Sequence, residues 1–412
     1  MDIFLCRATD FNYTLIPYSD MEIVKATRHF FPNTTHDHFF EEDMSKNVAY
    51  MTRMHEAIKA GKGTLSFITN GKIPLEKSPV KIEQRRLSYY SDAPYGFLSF
   101  IQQMPAGSYP TYSDRSFKAF YDDMNLDLNP IFMPHGGPIK LRPGKHMEDR
   151  EYPLSFIGHV RLPEPLGRFE TLLEGSDPRL IQIVAHASER VFAGETTAYV
   201  AVKQEATKAG LHPMTMLDLA TLKALLSKME GWAEMQNRLS LLRAFKDFPI
   251  HFFGPIRSDV SGVTDNENFV FHGKKMGAEV LEIIRNTRIL INSVTVFPEG
   301  AHERIWFALA NGCLPYTDHG SYIEESFTDE ENILFINYRD LEKEAERLCE
   351  YANDPNRLQS MIDKAMPIYA SKHTWIHRLD ATFRQIPELE PFMPQEELNK
   401  EVPYSLPNSD RQ

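Results

Sequence analysis

Hydrophobic and polar positions alternate along the 412-residue chain in a way that separates short apolar runs from amphipathic segments. In the first third, "DIFLCRA", "TLSFITNG" and "RRLSYYSDAPYG" each hold a short apolar run that ends at polar or turn residues, which predicts strands. Between the first two runs, apolar residues recur at three- and four-residue steps from Val48 to Ile58, which predicts a helix. A second helix is predicted in "DRSFKAFYDDMN", and "NPIFMPHGGP" is predicted to be extended.

The pattern restarts after the polar stretch "LRPGKHMEDREYP", which we interpret as a linker. Strands are predicted in "LSFIGHV", "IHFFGP", "ENFVFHG", "RILINS", "LPYTD" and "ILFINY". Helices are predicted in "LGRFETLL", "AEVLEIIRN", "HERIWFALANG" and "RDLEKEAERLCEYAND", and a long helical region is predicted over residues 177–245 with a break near "AGLHP". Strands that alternate with helices predict parallel sheets covered on both faces.

These elements predict an α/β protein with two Rossmann-like domains that face a cleft. Its length also suits two domains. The first domain is expected over residues 1–144 and the second over residues 151–385, with a helical insertion at about 177–245. Residues 386–412 form a proline-rich tail that we expect on the surface, and Pro143–Gly144 is a candidate hinge between the domains.

Composition narrows the classes of function. The net charge of −12 argues against a broad nucleic-acid surface and leaves room only for a local basic pocket. Three cysteines without metal-ligand spacing are typical of a reducing compartment, so a cytoplasmic location is expected. The first residues do not resemble a signal peptide, and no apolar run is long enough to span a bilayer, so any membrane contact is expected to be peripheral.

The stretch "PEGAHERIWFALANGCLPYTD" carries the most distinctive chemistry, because it follows the apolar run "RILINSVTVF" where a strand should give way to a helix. Ligands of open parallel sheets bind at the carboxyl ends of strands, where free N–H groups of the next helix favour phosphate. Glu299 and Gly300 would form the loop, and His302, Glu303 and Arg304 the first helical turn. Arg304 could hold a phosphate through two hydrogen bonds, and the carboxylates could accept from sugar hydroxyls. The same residues could also form an ordinary solvated helix end.

This segment resembles the nucleotide-sugar domain of glycosyltransferases of the two-Rossmann, or GT-B, architecture, and it looks closest to the branch related to the spore maturation protein CgeB. "LSFIGHVRLPEPLGRFETLL", "NRLSLLRAFKDFPIHFFG" and "KHTWIHRLDAT" are similar to other pieces of that domain and follow in the same order. The resemblance extends over roughly residues 154–382. It is weak in the first domain and absent from residues 177–235.

The resemblance implies a transferase that moves a sugar from a nucleotide-diphosphate donor to a glycan, protein or lipid-linked acceptor without a metal or other cofactor. Besides the residues of the opening stretch, it points to donor contacts from Gly158, Arg257, Lys274 and Asp318. The sequence departs from many retaining members at one position. They carry a second glutamate eight residues after the first, which falls here on Phe307.

A base is also needed if the reaction inverts the sugar's configuration. Asp92 in "SDAPYG" is the first candidate and His135 in "PHGGP" the second, although each could instead shape a turn. His36-Asp37-His38 could be read as metal ligands, but no third ligand stands at a suitable spacing, and no metal is expected.

Two other classes of protein stay open at this point. A binding or scaffold protein could keep the same fold without catalysis, as the Phe307 departure would allow. A dinucleotide oxidoreductase is disfavoured, because no strand is followed by the G-x-G-x-x-G motif.

Overall fold

A computed structural model describes residues 2–7, 15–32, 37–39, 44–60, 64–69, 85–165 and 168–394, and it contains two six-stranded sheets. The first sheet consists of β1 (Asp2–Arg7), β2 (Asp37–Phe39), β3 (Thr64–Thr69), β4 (Arg86–Tyr89), β5 (Tyr109–Tyr112) and β6 (Ile131–Phe132). The second sheet consists of β7 (Tyr152–Ile157), β8 (Ile250–Phe253), β9 (Phe269–Phe271), β10 (Thr287–Asn292), β11 (Leu314–Thr317) and β12 (Leu334–Phe335).

Both sheets are parallel, as the alternation of strands and helices predicts. The strand order is β2-β1-β3-β4-β5-β6 in the first and β12-β11-β10-β7-β8-β9 in the second. In the second sheet the chain builds β7, β8 and β9 outward in one direction and then returns to place β10 on the other side of β7, with Ile289 opposite Leu154. This reversal makes the carboxyl ends of β7 and β10 the switch point of the sheet.

The helices cover the sheets and add a separate layer. Those of the first lobe are α1 (Ile16–Phe30), α2 (Met44–Lys59), α3 (Leu98–Ile101) and α4 (Lys118–Met124). Between β7 and β8 the described part of the chain forms five helices, which are α5 (Arg168–Leu172), α6 (Arg179–Phe192), α7 (Ala198–Lys208), α8 (Pro213–Met216) and α9 (Leu219–Ala244). The remainder are α10 (Ala278–Arg285), α11 (Glu303–Ala310), α12 (Ser321–Glu324), α13 (Leu341–Ala352), α14 (Pro355–Lys372) and α15 (Trp375–Phe383).

The sequence pattern missed several of these elements. It gave no prediction for α1, although Pro17 at its first turn is a favourable start, nor for α14. The three-residue β2 and the four-residue β5 were also missed, because runs this short carry little periodicity. The predicted long helical region is present as α6 to α9, with its break near "AGLHP" between α7 and α8.

The chain returns to the first lobe at its carboxyl end. Trp375, Leu379 and Phe383 of α15 are buried in one hydrophobic cluster with residues of β1 and β3. Ile386 and Leu389 join the same cluster and are fully buried, so the start of the proline-rich tail does not lie on the surface as expected. Their apolar side chains are more stable in the core than in water, and this overrides the proline content of the segment.

The helical insertion packs on both lobes. Leu180 of α6 and Tyr199 of α7 share a hydrophobic cluster with Tyr95 and Phe120 of the first lobe. The first half of α9 belongs to this cluster, and its second half, with Leu239 and Leu242, belongs to the core of the second lobe. The insertion therefore connects the lobes through continuous apolar packing.

None of the described helices is both long and apolar enough to cross a bilayer.

Candidate active site

A cavity of about 620 Å³ opens at the switch point of the second sheet. Its wall is built from the chain that follows β7, β8, β9 and β10, together with one face of α9. It is lined by Ile157, Gly158, His159, Glu234, Arg238, Phe253, Gly254, Pro255, Arg257, Lys274, Lys275, Val294, His302, Glu303 and Arg304. This is where an open α/β sheet binds its ligand, and we call it the switch-point cavity.

The switch-point cavity is cationic although the chain as a whole is acidic. Five of its lining side chains carry a positive charge and two carry a carboxyl group. The cations are Arg238, Arg257, Lys274, Lys275 and Arg304, and the carboxyl groups are Glu234 and Glu303. Such a concentration of cations in a concave site favours a ligand with several negative charges.

The amino-terminal end of α11 points at this cavity. His302 is the N-cap, and its Nδ1 accepts a hydrogen bond from the backbone N–H of Arg304 at 3.2 Å. Burial, with help from Arg304 nearby, lowers the pKa of His302 well below its ordinary value, so the ring is neutral. Since Nδ1 is the acceptor, the proton lies on Nε2, which can donate to a ligand. The helix dipole adds to the attraction for an anion.

Two arginines hold their guanidinium groups in the cavity wall. Arg304 donates to Oδ1 of Asn292 at 2.9 Å, while its buried Nε has no partner among the described residues. Burial and the neighbouring Arg238 lower the pKa of Arg304 to about 10, which leaves it charged at neutral pH. Arg238, only 2% exposed, donates to the carbonyl groups of His159 at 3.1 Å and Ser293 at 3.0 Å and pairs with Glu234. A buried charge held by so many fixed partners is preorganised to receive an anion.

Glu303 lines the cavity with a carboxyl group that titrates near neutral pH. Burial, together with the charge of Asp92, raises its pKa to about 7, and this outweighs a hydrogen bond from the Ser19 hydroxyl at 3.1 Å and the neighbouring Arg304, which act in the opposite direction. Ser19 lies on α1, so this hydrogen bond joins the two lobes. A carboxyl group that is half ionised near neutral pH can accept or donate at a sugar hydroxyl.

The ends of β7 and β8 approach each other more closely than side chains would permit. A Cβ atom on Gly254 would lie 1.4 Å from the carbonyl oxygen of Gly158. The backbone N–H of Gly158 donates to the carbonyl of Phe253 at 3.1 Å. Gly158 therefore lines the cavity as expected, and the contact also explains Gly254, which the sequence analysis did not single out.

The structure groups six predicted donor-site residues in the switch-point cavity. They are Gly158, Arg257, Lys274, His302, Glu303 and Arg304. Arg257 and Lys274 are exposed at its rim. Sequence reasoning missed His159, Glu234, Arg238 and Lys275. A weak signal for Arg238 existed, because the segment "NRLSLLRAFKDFPIHFFG" already resembled a donor-side helix and strand.

Glu299 and Gly300 lie elsewhere, against the first lobe. The backbone N–H of Glu299 donates to Oδ2 of Asp114 at 2.7 Å, and Gly300 forms a bridge with the same residue. A Cβ on Gly300 would lie 2.5 Å from the carbonyl oxygen of Ser113. In the structure, Gly300 permits a close backbone contact between the lobes, whereas the sequence predicted a close approach to a ligand. Neither residue lines the switch-point cavity.

Asp318 lines a second cavity next to the first. Its carboxylate accepts from the backbone N–H of Val294 at 2.5 Å and from the Tyr338 hydroxyl at 2.6 Å. Burial raises its pKa to about 6. Its oxygens are engaged in holding two segments of the second lobe, so Asp318 supports the loop after β10.

The two candidate bases have different environments. Asp92 is exposed and lies close enough to Glu303 and Glu230 for its charge to raise the pKa of both. His135 is buried, and its ring nitrogens contact the hydroxyl of Tyr89 at 2.7 Å and the carbonyl of Ser91 at 2.8 Å. Since Nε2 must donate to that carbonyl, Nδ1 accepts from Tyr89.

The expectation that His135 could act as a base does not fit this geometry. Burial lowers its pKa to about 4, and both nitrogens are occupied within the first lobe. Its contact with Ser91 instead fixes the loop that carries Asp92.

In the part of the chain that the structure describes, no group of three or more His, Cys, Asp or Glu side chains could hold a metal ion. His36 of the predicted His-Asp-His group lies outside the described residues, and the side chains of Asp37 and His38 in β2 are not described either.

Comparison with known proteins finds a similar family in the second lobe and similar folds for the whole chain. Residues 236–384 match a family described as glycosyl transferase-like, a range that begins within α9 and ends after α15. A structure of Anabaena HepE in complex with UDP and glucose aligns with 93% of this chain and 98% of its own at a TM-score of 0.51 and 9% identity.

Two further structures are similar at lower scores. Sucrose-phosphate synthase of Thermosynechococcus elongatus aligns over 94% of this chain and 99% of its own, with a TM-score of 0.49 and 10% identity. TarM aligns over 81% of this chain with a TM-score of 0.43 and 11% identity, and the chain spans 57% of TarM. No curated protein sequence matches the chain.

The two-lobed fold is the GT-B architecture that the sequence predicts, and the segment over residues 236–384 is similar to a glycosyl transferase family.

Proposed function

We propose that this glycosyltransferase takes its sugar from a nucleotide-diphosphate donor whose diphosphate binds in the switch-point cavity. The observation that carries the proposal is the set of five cations around the amino-terminal end of α11, in a chain of net charge −12. The HepE structure, which contains UDP and glucose, supports this class of donor. The order of motifs in the second lobe supports placing the chain in the CgeB-related branch.

The chemistry of transfer follows from where charge develops. As the bond between the sugar and the diphosphate breaks, the sugar acquires oxocarbenium character and the leaving diphosphate gains negative charge. Arg304, Arg238 and the positive end of the α11 dipole would stabilise that charge, with Arg257 and Lys274 at the rim. These groups would stabilise the leaving diphosphate without the help of a metal ion.

The acceptor would be deprotonated by Asp92. The carboxylate lies on the first lobe, opposite α11, in a loop that His135 holds in place. Asp92 would take the proton of the acceptor hydroxyl, whose oxygen would bond to the anomeric carbon from the side opposite the diphosphate as the bond to the diphosphate breaks; such a displacement inverts the sugar's configuration. Glu303 would bind a hydroxyl of the donor and take over part of the role that Phe307 cannot fill. The acceptor is a glycan, protein or lipid-linked hydroxyl group.

Isothermal titration calorimetry with UDP, GDP and their glucose, N-acetylglucosamine and mannose conjugates tests the site. We expect one family of nucleotides to bind to the wild-type chain. Arg304→Ala should weaken that binding by between about 10-fold and 150-fold, since a charge-assisted hydrogen bond contributes about 1.5–3 kcal/mol. Arg304→Lys should fall in between, because it keeps the charge but loses the planar pair of donors.

Arg179→Ala is the matched control, since Arg179 is an exposed arginine on α6 that pairs with Asp177 away from the cavity. Unchanged affinity in Arg304→Ala would refute the site. Nucleotide binding without any donor hydrolysis or transfer would instead indicate a binding protein.

A further inference from the structure

We propose that the second cavity, next to the switch-point cavity, binds a sugar ring of a glycan acceptor. The inference rests on the proposed function and names the class of acceptor. This cavity has a volume of about 420 Å³, within the roughly 300–1,000 Å³ of small-molecule sites. Its lining residues are Phe192, Ala193, Gly194, Val294, Thr295, Phe297, Asp318, His319, Ile336, Asn337, Tyr338 and Arg339. We call it the neutral cavity.

The neutral cavity adjoins the donor site directly. Val294, in the loop after β10, lines both cavities. The backbone N–H of that residue is held by Asp318, and the carbonyl of the preceding Ser293 is held by Arg238, which lines the switch-point cavity. One short segment therefore separates the two ligands, so a sugar bound on one side lies next to a donor bound on the other.

The two cavities differ in the charge of their lining residues. The switch-point cavity has five cations and two carboxyl groups, whereas the neutral cavity has Arg339 and Asp318 as its charged pair. His319, also in its lining, has its Nδ1 2.7 Å from the carboxylate of Glu324. A second diphosphate would find too few cations here, so an uncharged ligand is favoured.

The lining has the mixed character that a sugar requires. Phe192, which is 38% exposed, and Tyr338 provide apolar ring surface for the C–H faces of a pyranose. Asn337 and Arg339 are exposed at the cavity and offer an amide and a guanidinium to hydroxyl groups. Aromatic faces beside planar polar groups suit a neutral polyol better than a lipid tail, which would leave those polar groups unpaired.

The wall of this cavity comes partly from the insertion. Phe192, Ala193 and Gly194 close the carboxyl end of α6, and the side-chain amide of Asn237 on α9 donates to the carbonyl of Phe192 at 2.8 Å. Phe192 also packs against Trp232, with ring centroids 5.6 Å apart. These contacts fix the ring at the cavity, so the insertion would determine which glycan is accepted.

Saturation-transfer NMR with the methyl glycosides of glucose, galactose, mannose and N-acetylglucosamine tests the proposal. The measurements use the full chain saturated with the nucleotide that calorimetry identifies. We expect at least one glycoside to bind, and Phe192→Ala and Asn337→Ala each to weaken that binding by about tenfold or more. Nucleotide affinity should stay within about twofold of wild type in both variants, which also shows that they are folded.

Phe392→Ala is the matched control, since Phe392 is an exposed phenylalanine near the carboxyl end, 53% exposed, that lines neither cavity. If no glycoside binds to a chain that binds its nucleotide, the inference fails and the proposed function stands. If Phe192→Ala weakens the nucleotide-sugar but not the free nucleotide, the cavity holds the donor's sugar, and the inference is overturned. If no nucleotide binds at all, the proposed function itself fails.

Discussion

Replacement of Glu303 by glutamine tests whether burial in the switch-point cavity destabilises the ionised form of this carboxyl group. Burial, together with the charge of Asp92, raises the pKa of Glu303 from its ordinary value of 4.5 to about 7. The unfolded chain therefore ionises Glu303 at lower pH than the native protein does. The contribution of Glu303 to the free energy of unfolding is fully present below pH 4.5, decreases as the pH rises, and is lost above about pH 7.

The size of this loss follows from the pKa values of Glu303 in the unfolded and the folded chain. Their difference corresponds to about 3 kcal/mol at 1.36 kcal/mol for each pH unit. Glu303 keeps some contact with solvent in the cavity, so we expect about 2 kcal/mol in practice. Glutamine cannot ionise and avoids the loss. Glu303→Gln should therefore stabilise the protein at pH 8.5 relative to wild type and much less at pH 5.

Thermal unfolding followed by circular dichroism measures the effect. With an unfolding entropy of about 2.1 cal/mol/K for each residue, 2 kcal/mol shifts the Tm of a chain this long by roughly 2 °C. Glu331→Gln, which removes an exposed carboxylate near the start of β12, serves as the control and should show no pH-dependent shift. An equal Tm difference between Glu303→Gln and wild type at pH 5 and pH 8.5 would show that the carboxyl group is not destabilised by burial.

Two further substitutions follow from the proposed roles. Asp92→Asn should lower sugar transfer and donor hydrolysis by about 10²–10⁴-fold while calorimetric nucleotide affinity changes less than about twofold, because a general base is lost and the donor contacts remain; near-normal turnover would exclude Asp92 as the base. Phe307→Glu restores the glutamate that many retaining relatives carry, but Phe307 is 1% exposed in a hydrophobic cluster, so we expect several kcal/mol of destabilisation by urea unfolding and no gain in nucleotide affinity. A stable variant with tighter binding would contradict the position of this side chain.

Local sequence signals predicted the parts of the site that lie within one strand-to-helix connection. His302, Glu303 and Arg304 are contiguous and follow closely on an apolar run, and the structure brings all three to the cavity together. Gly158 was predictable for the same reason, since it follows the last residue of a recognisable strand. Both sheets were likewise predictable as parallel, because strands and helices alternate in the sequence.

Arg238 shows what the sequence could not predict. It lies in the last third of the 26-residue α9, about 65 residues before the helix it faces, and only the resemblance of the segment "NRLSLLRAFKDFPIHFFG" gave a weak signal for it. Its importance arises from packing, which places Glu234 and Arg238, one helical turn apart, on the face of α9 that meets the cavity. Gly300 illustrates the opposite error. Glycine does mark a close backbone contact there, but the sequence does not say whether the neighbour is a ligand or, as in the structure, Ser113.

The insertion also changes how the two lobes can move. Pro143–Gly144 was expected to act as a hinge, yet the backbone N–H of Gly144 donates to the carbonyl of Asn311, and Arg142 donates to Ala310, so the linker is attached to the end of α11. The cluster shared by α6, α7, α9 and the first lobe adds a second connection.

Wide opening of the cleft would expose the apolar side chains of that cluster, at about 25 cal/mol for each Å² brought into water. The hydrogen bond between Ser19 and Glu303 and the contact of Gly300 with Asp114 would break as well. Because these contacts already hold both lobes around the switch-point cavity, we expect little further closure when the proposed donor binds. The same helices place Arg238 in the switch-point cavity and Phe192 in the neutral cavity, and thus fix the distance between the two proposed binding sites.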